Sequence, residues 1–382
     1  MSGNKTKLWI VSELYKPSNT STAHILVQVA DFLAEEYDIH VIAGKSASHM
    51  YGLNENNQIS PAENILYINS PFVRNKILRI IFGLYFSIKA TIYLMRLSKS
   101  GDKILAVTNP QTLILVLPWF FGKNLTFLIH DIFPDNLIKT SNGIGRWLGN
   151  FLNPFYNSSY RHLFNAIVLG EDMKQVVAQK RVKNIQIIRN WADEDLKIKP
   201  FPKGRIKILY AGNIGRLQGL HDFIIWFKQL DERLFELHIR GEGEAKHDLI
   251  CAVKELGMRN VYFHGAFKRN EQSDILGMCH FGLVSLDNKM FGLGVPSKFY
   301  NIIKSGRPVL YFGPKHTEVY NSVQNDSLGL ILDNIFSYKE FSHKMEVLIQ
   351  EVSPEYYANI YEMKYSKEAV KRQLINYFRT NG

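Results

Sequence analysis

The stretch from residue 206 to residue 220 reads Ile-Lys-Ile-Leu-Tyr-Ala-Gly-Asn-Ile-Gly-Arg-Leu-Gln-Gly-Leu. Its first five residues predict a buried strand, and a helical pattern follows from about Gln218. The loop between strand and helix contains Gly212, Gly215 and Gly219. Glycine lets a backbone approach a bound anion closely, and the guanidinium of Arg216 can grip such an anion with two hydrogen bonds. The stretch therefore predicts a strand, an anion-binding loop and a helix.

A second stretch of the same kind lies at residues 295–308, Val-Pro-Ser-Lys-Phe-Tyr-Asn-Ile-Ile-Lys-Ser-Gly-Arg-Pro. Pro296 and Ser297 are predicted to open a helix, because proline suits its first position and serine can accept hydrogen bonds from the first turn. With Lys298 in that turn, the helix N-terminus favours a negatively charged group. The alternative is an ordinary helix followed by a strand. Two such elements in one half of the chain predict a diphosphate pocket.

Strand and helix patterns alternate along the chain, which favours parallel sheets. Strands are predicted near residues 8–12, 38–43, 64–68, 103–107, 125–129, 164–168, 185–188, 206–210, 235–240, 260–263, 281–284, 308–312 and 328–331. Apolar periodicity gives way to charged residues and proline between Trp191 and Gly204. We therefore place one domain at residues 1–195 and a second at 196–362, followed by a helix at about 363–382. Doubly wound domains bind ligands at the carboxyl ends of their strands.

Six short motifs connect the chain to a known family. They are Leu14-Tyr15-Lys16-Pro17, His130-Asp131-Ile132-Phe133-Pro134-Asp135, Arg189-Asn190-Trp191-Ala192-Asp193, Tyr210-Ala211-Gly212-Asn213-Ile214-Gly215, Gly241-Glu242-Gly243 and Pro296-Ser297-Lys298-Phe299-Tyr300. In order and spacing they resemble the retaining, nucleotide-sugar-dependent glycosyltransferases of the GT4 type, in the branch that makes bacterial surface polysaccharides. The resemblance implies an α/β GT-B fold, with two doubly wound Rossmann-like domains facing a central cleft. It also implies that the first domain binds the acceptor, the second binds the donor, and the final helix packs back on the first.

The activity that the resemblance implies is transfer of a sugar from a nucleoside-diphosphate donor, preferably UDP-linked, to a lipid-linked glycan, with retention at the anomeric carbon. The departing diphosphate develops negative charge, which cations and backbone N–H groups stabilise. Arg216 is our first choice for this role and Lys298 our second, and the N–H groups near Gly292, Leu293 and Gly294 are expected to assist. The other donor-binding residues that we predict are Asn19, Thr20, Gly212, Asn213, Gly215, Ser297 and Asn301.

His130 follows a predicted strand and so is expected at its carboxyl end. By resemblance His130 hydrogen-bonds the donor sugar near the reaction centre, and Asp131 orients either that histidine or the acceptor. A lone histidine with a purely structural role is the alternative. The early loop, which contains Asn19 and Thr20, replaces the family's glycines with polar residues. We therefore expect a less close approach of backbone to donor there, with hydroxyl groups as substitutes.

The chain departs from the family at two acidic positions. Of two glutamates that the family carries eight residues apart, the second falls at Asn301 and the first near residues 291–293, where Asp287 is the closest acid. This departure supports one alternative, a non-catalytic member that binds nucleotide sugar or glycan in an assembly complex. A nucleotide-sugar epimerase is a second alternative because it shares the two-domain architecture, but it would need acidic residues in the cleft that this sequence does not obviously place. A nicotinamide dehydrogenase is less favoured, because Gly241-Glu242-Gly243 lacks the rest of the dinucleotide fingerprint.

Composition fits a globular intracellular protein. The 382 residues are 46% hydrophobic and 21% charged, with two cysteines, Cys251 and Cys279, that suggest a reducing compartment. A strand pattern begins directly after the first residues, so we expect no signal peptide and a cytoplasmic location. Asp193-Glu194-Asp195 has the spacing of a metal–diphosphate motif, but a solvated acidic cluster is the preferred interpretation. We expect no metal and no cofactor.

The net charge of +11 requires a partner. No nucleic-acid motif is present, so an anionic membrane surface is favoured over nucleic acid. Residues 74–101 contain six basic residues, no acidic residue and many large apolar ones, which predicts a helix at the membrane surface. Lys89 and Arg96 argue against a spanning helix. The alternative is a core helix of the first domain. A further apolar segment, residues 104–122, is predicted as a strand, a turn and a short helix, with Trp119 at an end exposed to lipid or a lipid-linked acceptor.

Overall fold

The computed structural model describes residues 5–18, 20–45, 64–71, 76–192, 196–332 and 337–380. The chain divides into two compact units. Unit 1 comprises residues 1–188 together with 371–382, and unit 2 comprises residues 189–370. The sequence placed the division at residues 195–196, and residues 193–195 lie outside the described part.

Unit 1 is a parallel sheet flanked by helices. Its strands are β1 (Lys7–Ser12), β2 (Asp38–Gly44), β3 (Asn64–Ile68), β4 (Lys103–Val107), β5 (Leu125–Ile129), β6 (Asn165–Val168) and β7 (Asn184–Ile187). They pair in the order β3-β2-β1-β4-β5-β6-β7, so the chain reverses its direction of progress between β1 and β4. The described helices are α1 (Ser21–Leu33), α2 (Lys76–Leu97), α3 (Leu113–Val116), α4 (Pro118–Phe121), α5 (Asp135–Thr140), α6 (Ile144–His162) and α7 (Glu171–Gln179).

Unit 2 repeats this plan. Its strands are β8 (Ile206–Ala211), β9 (Phe235–Arg240), β10 (Val261–His264), β11 (Phe281–Ser285), β12 (Val309–Phe312) and β13 (Gly329–Ile331), in the order β10-β9-β8-β11-β12-β13. Its described helices are α8 (Leu220–Phe227), α9 (Lys246–Glu255), α10 (Gln272–Gly277), α11 (Lys298–Lys304), α12 (Glu318–Asn325), α13 (Tyr338–Glu351) and α14 (Pro354–Lys364). Here the reversal lies between β8 and β11. All thirteen predicted strands are present in the two sheets, and the doubly wound α/β fold class is confirmed.

The last helix, α15 (Lys367–Thr380), runs from the end of unit 2 into unit 1. Leu374 and Phe378 on α15 are buried, and the Phe378 ring lies edge-on to Tyr37, with 6.3 Å between ring centroids. The ammonium of Lys371 lies 2.5 Å from a carboxylate oxygen of Glu35. These contacts make α15 part of the packing of unit 1, whose first strands lie several hundred residues earlier in the sequence.

Both sheets carry a central strand that is buried on both faces. In β1, residues Leu8 to Ser12 are buried, and in β8 Ile208, Leu209 and Tyr210 are buried. Such continuous apolar strands are typical of parallel sheets covered by helices on both sides. In an open parallel sheet the crevice for a ligand lies beyond the carboxyl ends of the strands, where the strand order reverses. The fold thus assigns one candidate crevice to each unit, beyond β1 and β4 and beyond β8 and β11.

Candidate functional site

The crevice of unit 2 is formed by the loops that follow β8, β9 and β11. Gly212 donates its N–H to the carbonyl oxygen of Arg240 at 3.0 Å, and Ile214 donates to that of Glu242 at 2.8 Å, so the loops after β8 and β9 run side by side. Asp287, just after β11, donates to the carbonyl oxygen of Leu217 at 3.0 Å. The loop predicted to bind an anion is therefore held on both sides at the reversal point of the sheet.

Glycine is required where these loops touch. A methyl group on Gly241 would overlap the carbonyl oxygen of Gly212, and one on Gly243 would overlap that of Ile214. Gly219, with φ of +61°, lies so close to the β11 loop that a methyl group would come within 2.9 Å of the backbone of Leu286. Glycine tolerates both the positive φ and the close approach. The motif Gly241-Glu242-Gly243 thus serves backbone packing between two loops.

Lys298 is the charged group at the centre of this crevice. Its ammonium nitrogen lies 3.7 Å from the centroid of the Tyr210 ring and donates to Gln218 Oε1 at 3.1 Å. The Tyr210 hydroxyl donates to the carbonyl oxygen of Asn213 at 2.6 Å, which fixes the ring. Burial of the ammonium lowers the pKa of Lys298 from 10.5 to about 7, because an apolar environment disfavours charge. No acidic side chain bonds to this ammonium among the described residues, so its positive charge has no counter-ion among them.

Arg216 begins a short 3-10 turn at the rim of the same crevice. Its side chain is exposed and forms no hydrogen bond or ion pair with any residue that the structure describes. Asn213 is also exposed, and Gly215 lies against the Asn213 side chain. The fold thus brings Gly212, Asn213, Gly215, Arg216 and Lys298 to one loop cluster. The donor-binding role expected for them stays a prediction.

The helix that was expected to open at Pro296 begins two residues later. α11 starts at Lys298, and Ser297 precedes it with helical backbone angles, exposed, and without a hydrogen bond from its side chain to the first turn. The prediction that Ser297 caps this helix is therefore wrong. A capping serine normally has an extended backbone, and the turns after β11 do not leave Ser297 in that conformation.

The turn at residues 292–294 also differs from expectation in one respect. The N–H of Leu293 donates to the carbonyl oxygen of Met290 at 3.1 Å, so this group is used within the turn and does not assist an anion. Gly292 takes a φ of +72°, which explains a glycine at that position. Asn301 lies half-buried within α11. Its predicted contact with a ribose, like the assistance of Gly292 and Gly294, stays a prediction.

The crevice of unit 1 contains His130 and Asp131, directly after β5. The hydroxyl oxygen of Thr108, beyond β4, accepts hydrogen bonds from the N–H groups of His130 and Asp131 at 3.1 and 3.4 Å. Burial lowers the pKa of His130 to about 4, so its imidazole is neutral at pH 7. Its Nε2 is buried and has no hydrogen-bond partner among the described residues. Desolvation also raises the pKa of Asp131, although the residue as a whole is exposed. Both groups are therefore able to meet a polar ligand.

A buried ion pair that was not predicted from the sequence lies beside these residues. Glu13, fully buried after β1, accepts hydrogen bonds from Ser70 Oγ at 2.7 Å and from Arg79 Nη1 at 2.9 Å, and Arg79 Nη2 forms a second bond to its other oxygen. Arg79 lies on α2 and also lines a cavity of about 230 Å³ together with Thr108 and Asp131. The pair therefore connects α2 to the reversal point of the sheet. The only hint of it in the sequence is an acidic residue, Glu13, directly after a predicted strand.

In the early loop, Thr20 caps a helix. Thr20 is the N-cap of α1, and its hydroxyl oxygen accepts the N–H of Ala23 at 3.2 Å. The Ser18 hydroxyl points to the same oxygen at 3.4 Å. Asn19 lies outside the described residues. Thr20 has a structural role as a cap, and donor contact by either residue stays a prediction.

Helix α2 corresponds to the segment predicted at the membrane surface. Within the described part of the chain, it contains one window, Leu78–Leu97, that is long and apolar enough to cross a membrane, and 33% of that window is buried. Phe86, Ala90 and Leu94 are fully buried against unit 1, whereas the opposite side exposes a row of apolar residues. Those residues are Leu78, Ile81, Tyr85, Ile88, Ile92 and Met95. The buried face fits the interpretation as a core helix of the first domain, and contact of the exposed face with a membrane stays a prediction.

The basic residues of this segment are not equivalent. Arg79 is used by Glu13, and Lys89, Arg96 and Lys99 are exposed. Arg74 lies outside the described residues, as do Asp193, Glu194 and Asp195 of the acidic cluster. Among the residues that are described, no group of three or more potential ligands could hold a metal ion. The expectation that no metal is needed stays a prediction.

The architecture of two parallel-sheet Rossmann-like units, each with a crevice at its reversal point, is that of the GT-B glycosyltransferases. WaaG, a glycosyltransferase involved in lipopolysaccharide biosynthesis, matches 97% of this chain over 98% of its own length, with a TM-score of 0.64 and 14% identity. HepE (Alr3699) of Anabaena, solved in complex with UDP, matches 98% of this chain over its full length, with a TM-score of 0.65 and 13% identity.

At the level of sequence, the chain is similar to the "probable glycosyltransferase WbjE" of Pseudomonas aeruginosa, with 27% identity over 270 residues. The match covers 64% of each protein, so this chain spans less than two thirds of the length of that relative. No protein-family model matches the chain.

Proposed function

We propose that this chain is a glycosyltransferase of surface polysaccharide biosynthesis. It moves a sugar from a nucleoside-diphosphate sugar, UDP-linked by preference, to a lipid-linked glycan acceptor. The observation that carries the proposal is Lys298, a half-buried lysine beside a glycine-rich loop at the reversal point of unit 2. A desolvated ammonium with no acidic partner among the described residues favours an anionic ligand, and a diphosphate supplies one.

The reaction that we propose breaks the bond between the anomeric carbon of the sugar and the diphosphate oxygen. The diphosphate leaves with the bonding electrons, and its growing negative charge meets Lys298 and the guanidinium of Arg216. Cations placed where charge develops lower the barrier more than they stabilise the ground state. The backbone of Gly212 and the side chain of Asn213 lie beside the same position. No metal is needed in this proposal, since two cations balance the leaving group.

In unit 1 we assign His130 to the donor sugar and Asp131 to the acceptor. A neutral imidazole with a buried, unpartnered Nε2 suits a hydrogen bond to a sugar hydroxyl. Asp131, whose pKa is raised by desolvation, suits contact with the hydroxyl that attacks, because a more basic carboxylate accepts a proton more readily. Retention of configuration is part of the proposal through the family resemblance.

The choice of donor and acceptor draws on the relatives. HepE was solved with UDP, and WaaG acts in lipopolysaccharide biosynthesis. A lipid-linked acceptor requires the enzyme at a membrane, and the exposed apolar row of α2, with Lys89 and Arg96 on the same helix, suits an anionic surface. We therefore propose a peripheral protein on the cytoplasmic face of the cell membrane.

The test measures nucleotide binding and turnover separately. We expect UDP to raise the melting temperature of the purified protein more than GDP, ADP or NAD, since a ligand at about a hundred times its Kd stabilises a folded protein by roughly 2.7 kcal/mol. Arg216→Ala should remove sugar transfer from UDP-sugars to lipid-linked glycans while the melting temperature without ligand stays unchanged. The matched control is Arg259→Ala, an exposed arginine at the amino-terminal edge of the same sheet.

The alternatives give different outcomes in the same experiments. Full activity in Arg216→Ala would contradict the phosphate assignment. UDP-sugar binding by the wild type without any turnover would favour a non-catalytic binding protein, for which the absent glutamates are the argument. Conversion of the donor sugar without an acceptor would favour an epimerase, and stabilisation by NAD alone would overturn the proposal.

A further inference from the structure

Helix α6 exposes a row of large apolar side chains that the sequence analysis did not identify. Ile144 is 84% exposed, Trp147 65%, and Phe151 and Phe155 56% each. Their spacing of three, four and four residues places them on one face of a helix that turns about 100° per residue. The rings contact one another along the helix, with 5.8 Å between the centroids of Trp147 and Phe151 and 5.9 Å between those of Phe151 and Phe155.

The opposite face of α6 explains why this row points outward. A methyl group on Gly149 would come within 2.7 Å of Ile138 Cγ1 on α5, so the glycine lets the two helices pack closely. Tyr156 and Tyr160 on the same side are buried. Turning the aromatic row inward would replace this contact with side chains that do not fit. The exposure of the row is therefore built into the packing of unit 1.

The row continues onto α4. His162 lies seven residues after Phe155 and so returns to the same face of α6. The ring of Trp119 stacks on His162 with 3.8 Å between centroids, and its Nε1 donates to Ser159 Oγ at 2.9 Å. Trp119 is half-exposed, and Phe120 beside it is 57% exposed. We call the surface formed by Ile144, Trp147, Phe151, Phe155, Trp119 and Phe120 the aromatic face.

The charged residues in the stretch of sequence that contains α6 have one sign. Between residues 136 and 170 there is no aspartate or glutamate, while Lys139, Arg146 and Arg161 occur there, and Lys123 follows α4. Lys123, Arg146 and Arg161 are exposed. A second copy of this chain, docked through the same surface, would bring like charges together. Anionic head groups instead meet positive charge at the rim, and tryptophan and phenylalanine favour the boundary between head groups and acyl chains.

We propose that the aromatic face inserts into the head-group region of an anionic bilayer, with α6 lying in the plane of the membrane. A helix of this length lies about 28 Å along the surface. The contact is additional to that proposed for α2 and does not depend on sugar transfer. A chain without any transferase activity would still bind vesicles through this face.

The test is co-sedimentation of the full-length protein with vesicles. One set contains phosphatidylcholine alone, and the other contains equal parts of phosphatidylcholine and phosphatidylglycerol. We expect the wild type to sediment with the anionic vesicles, and the variant Phe151→Ser/Phe155→Ser to lose binding by at least about tenfold. Both side chains are more than half exposed, so the melting temperature should be unchanged. The control, Met278→Ser/Met363→Ser, removes side chains of 63% and 70% exposure from unit 2 and should bind like the wild type.

Three outcomes would overturn the proposal. The wild type could fail to sediment with anionic vesicles, or the phenylalanine variant could bind as well as the control. The third is a dimer of the wild type in analytical ultracentrifugation that becomes a monomer in the phenylalanine variant, because the aromatic face would then serve a second copy. UDP binding is measured on the same samples. Its retention in the phenylalanine variant distinguishes loss of membrane binding from failure of the proposed function.

Discussion

The two units share one sheet plan but use different groups at the point where strand order reverses. In unit 2 the loops meet backbone to backbone, with glycine at Gly219, Gly241 and Gly243, and the ammonium of Lys298 lies beside them. In unit 1 the corresponding place is filled by side chains, namely the Glu13–Arg79 pair and the neutral His130. The first arrangement places a cation beside closely packed backbone, and the second presents hydrogen-bonding side chains around a cavity.

Under the proposed function, this difference adapts one architecture to two kinds of ligand. A diphosphate is recognised by charge and by closely approaching backbone, so glycine and lysine suffice. A carbohydrate hydroxyl is recognised by directed hydrogen bonds, which need fixed side chains such as those around Thr108. The exposed apolar faces of α2 and α6 belong to unit 1 alone. Under our proposal, the diphosphate of the donor binds to unit 2, whereas the acceptor and the membrane contact unit 1.

The largest effect is expected from Gly241→Ala, which breaks the backbone contact of unit 2. The new methyl group overlaps the carbonyl oxygen of Gly212, and the strained backbone angle adds to the cost. We expect a loss of more than about 4 kcal/mol in the free energy of unfolding, measured by denaturant titration. Gly257→Ala is the control, because Gly257 has a φ of +61° with no atom within 4 Å of the added group. It should cost only about 1 kcal/mol, and equal losses in both variants would refute the contact.

A smaller effect is expected from Arg79→Met, which leaves the carboxylate of Glu13 buried without its cation. Removing one partner of a buried pair costs about 3–5 kcal/mol, and the 28% exposure of Arg79 favours the lower end. Thermal unfolding should show this loss. The double variant Glu13→Gln/Arg79→Met should regain most of it, because no charge is left buried. No recovery in the double variant would mean that Arg79 acts through packing.

The smallest effect is a pH dependence of UDP binding. In the free protein burial holds the pKa of Lys298 at about 7, so the ammonium is mostly neutral at pH 9. A bound diphosphate favours the charged form and raises this pKa, so binding above pH 7 takes up a proton. UDP affinity should therefore fall by up to about tenfold per pH unit above 7. Isothermal titration calorimetry should show that Lys298→Gln binds UDP more weakly and that its affinity no longer falls with pH. The control variant, Lys254→Gln, should show the same dependence of affinity on pH as the wild type.

The lowered pKa of Lys298 also makes the stability of the ligand-free protein depend on pH. The unfolded chain binds a proton at Lys298 up to pH 10.5, while the folded chain releases it near pH 7. The contribution of this group to the free energy of unfolding therefore rises with pH between about 7 and 10.5. Lys298→Gln should flatten the dependence of stability on pH in that window. A steeper dependence in the variant would contradict burial of the ammonium.

The sequence predicted the strands because each is a short apolar run bounded by loops, and parallel sheets require such runs. The loops of unit 2 were readable as well, since glycine marks the positions where backbone approaches backbone. The start of α11 and the role of Ser297 were wrong, because the conformation of the turns after β11 depends on contacts from several loops. A local pattern contains no information about those contacts.

In unit 1 the pairing of Glu13 with Arg79 was missed for a different reason. Glu13 lies directly after β1 and Arg79 lies on α2, an apolar helix whose basic residues all suggested a membrane. The aromatic row of α6 was overlooked because the helix contains Pro154 and several polar residues. Its apolar positions become significant only when the buried side of the helix is known. Both the partner of a residue far away in the sequence and the exposed face of a helix can be identified only from the folded structure.

Because unit 1 includes most of helix α15, it can complete its packing only after unit 2 has been synthesised. Its residues 371–380 pack within unit 1, most of which is made before unit 2, so the whole of unit 2 is made in between. Until residues 371–380 have left the ribosome, the surface of unit 1 that receives Leu374 and Phe378 stays uncovered. The first unit to be translated is thus the last to be completed, and a nascent chain carries its open apolar surface through the synthesis of the second.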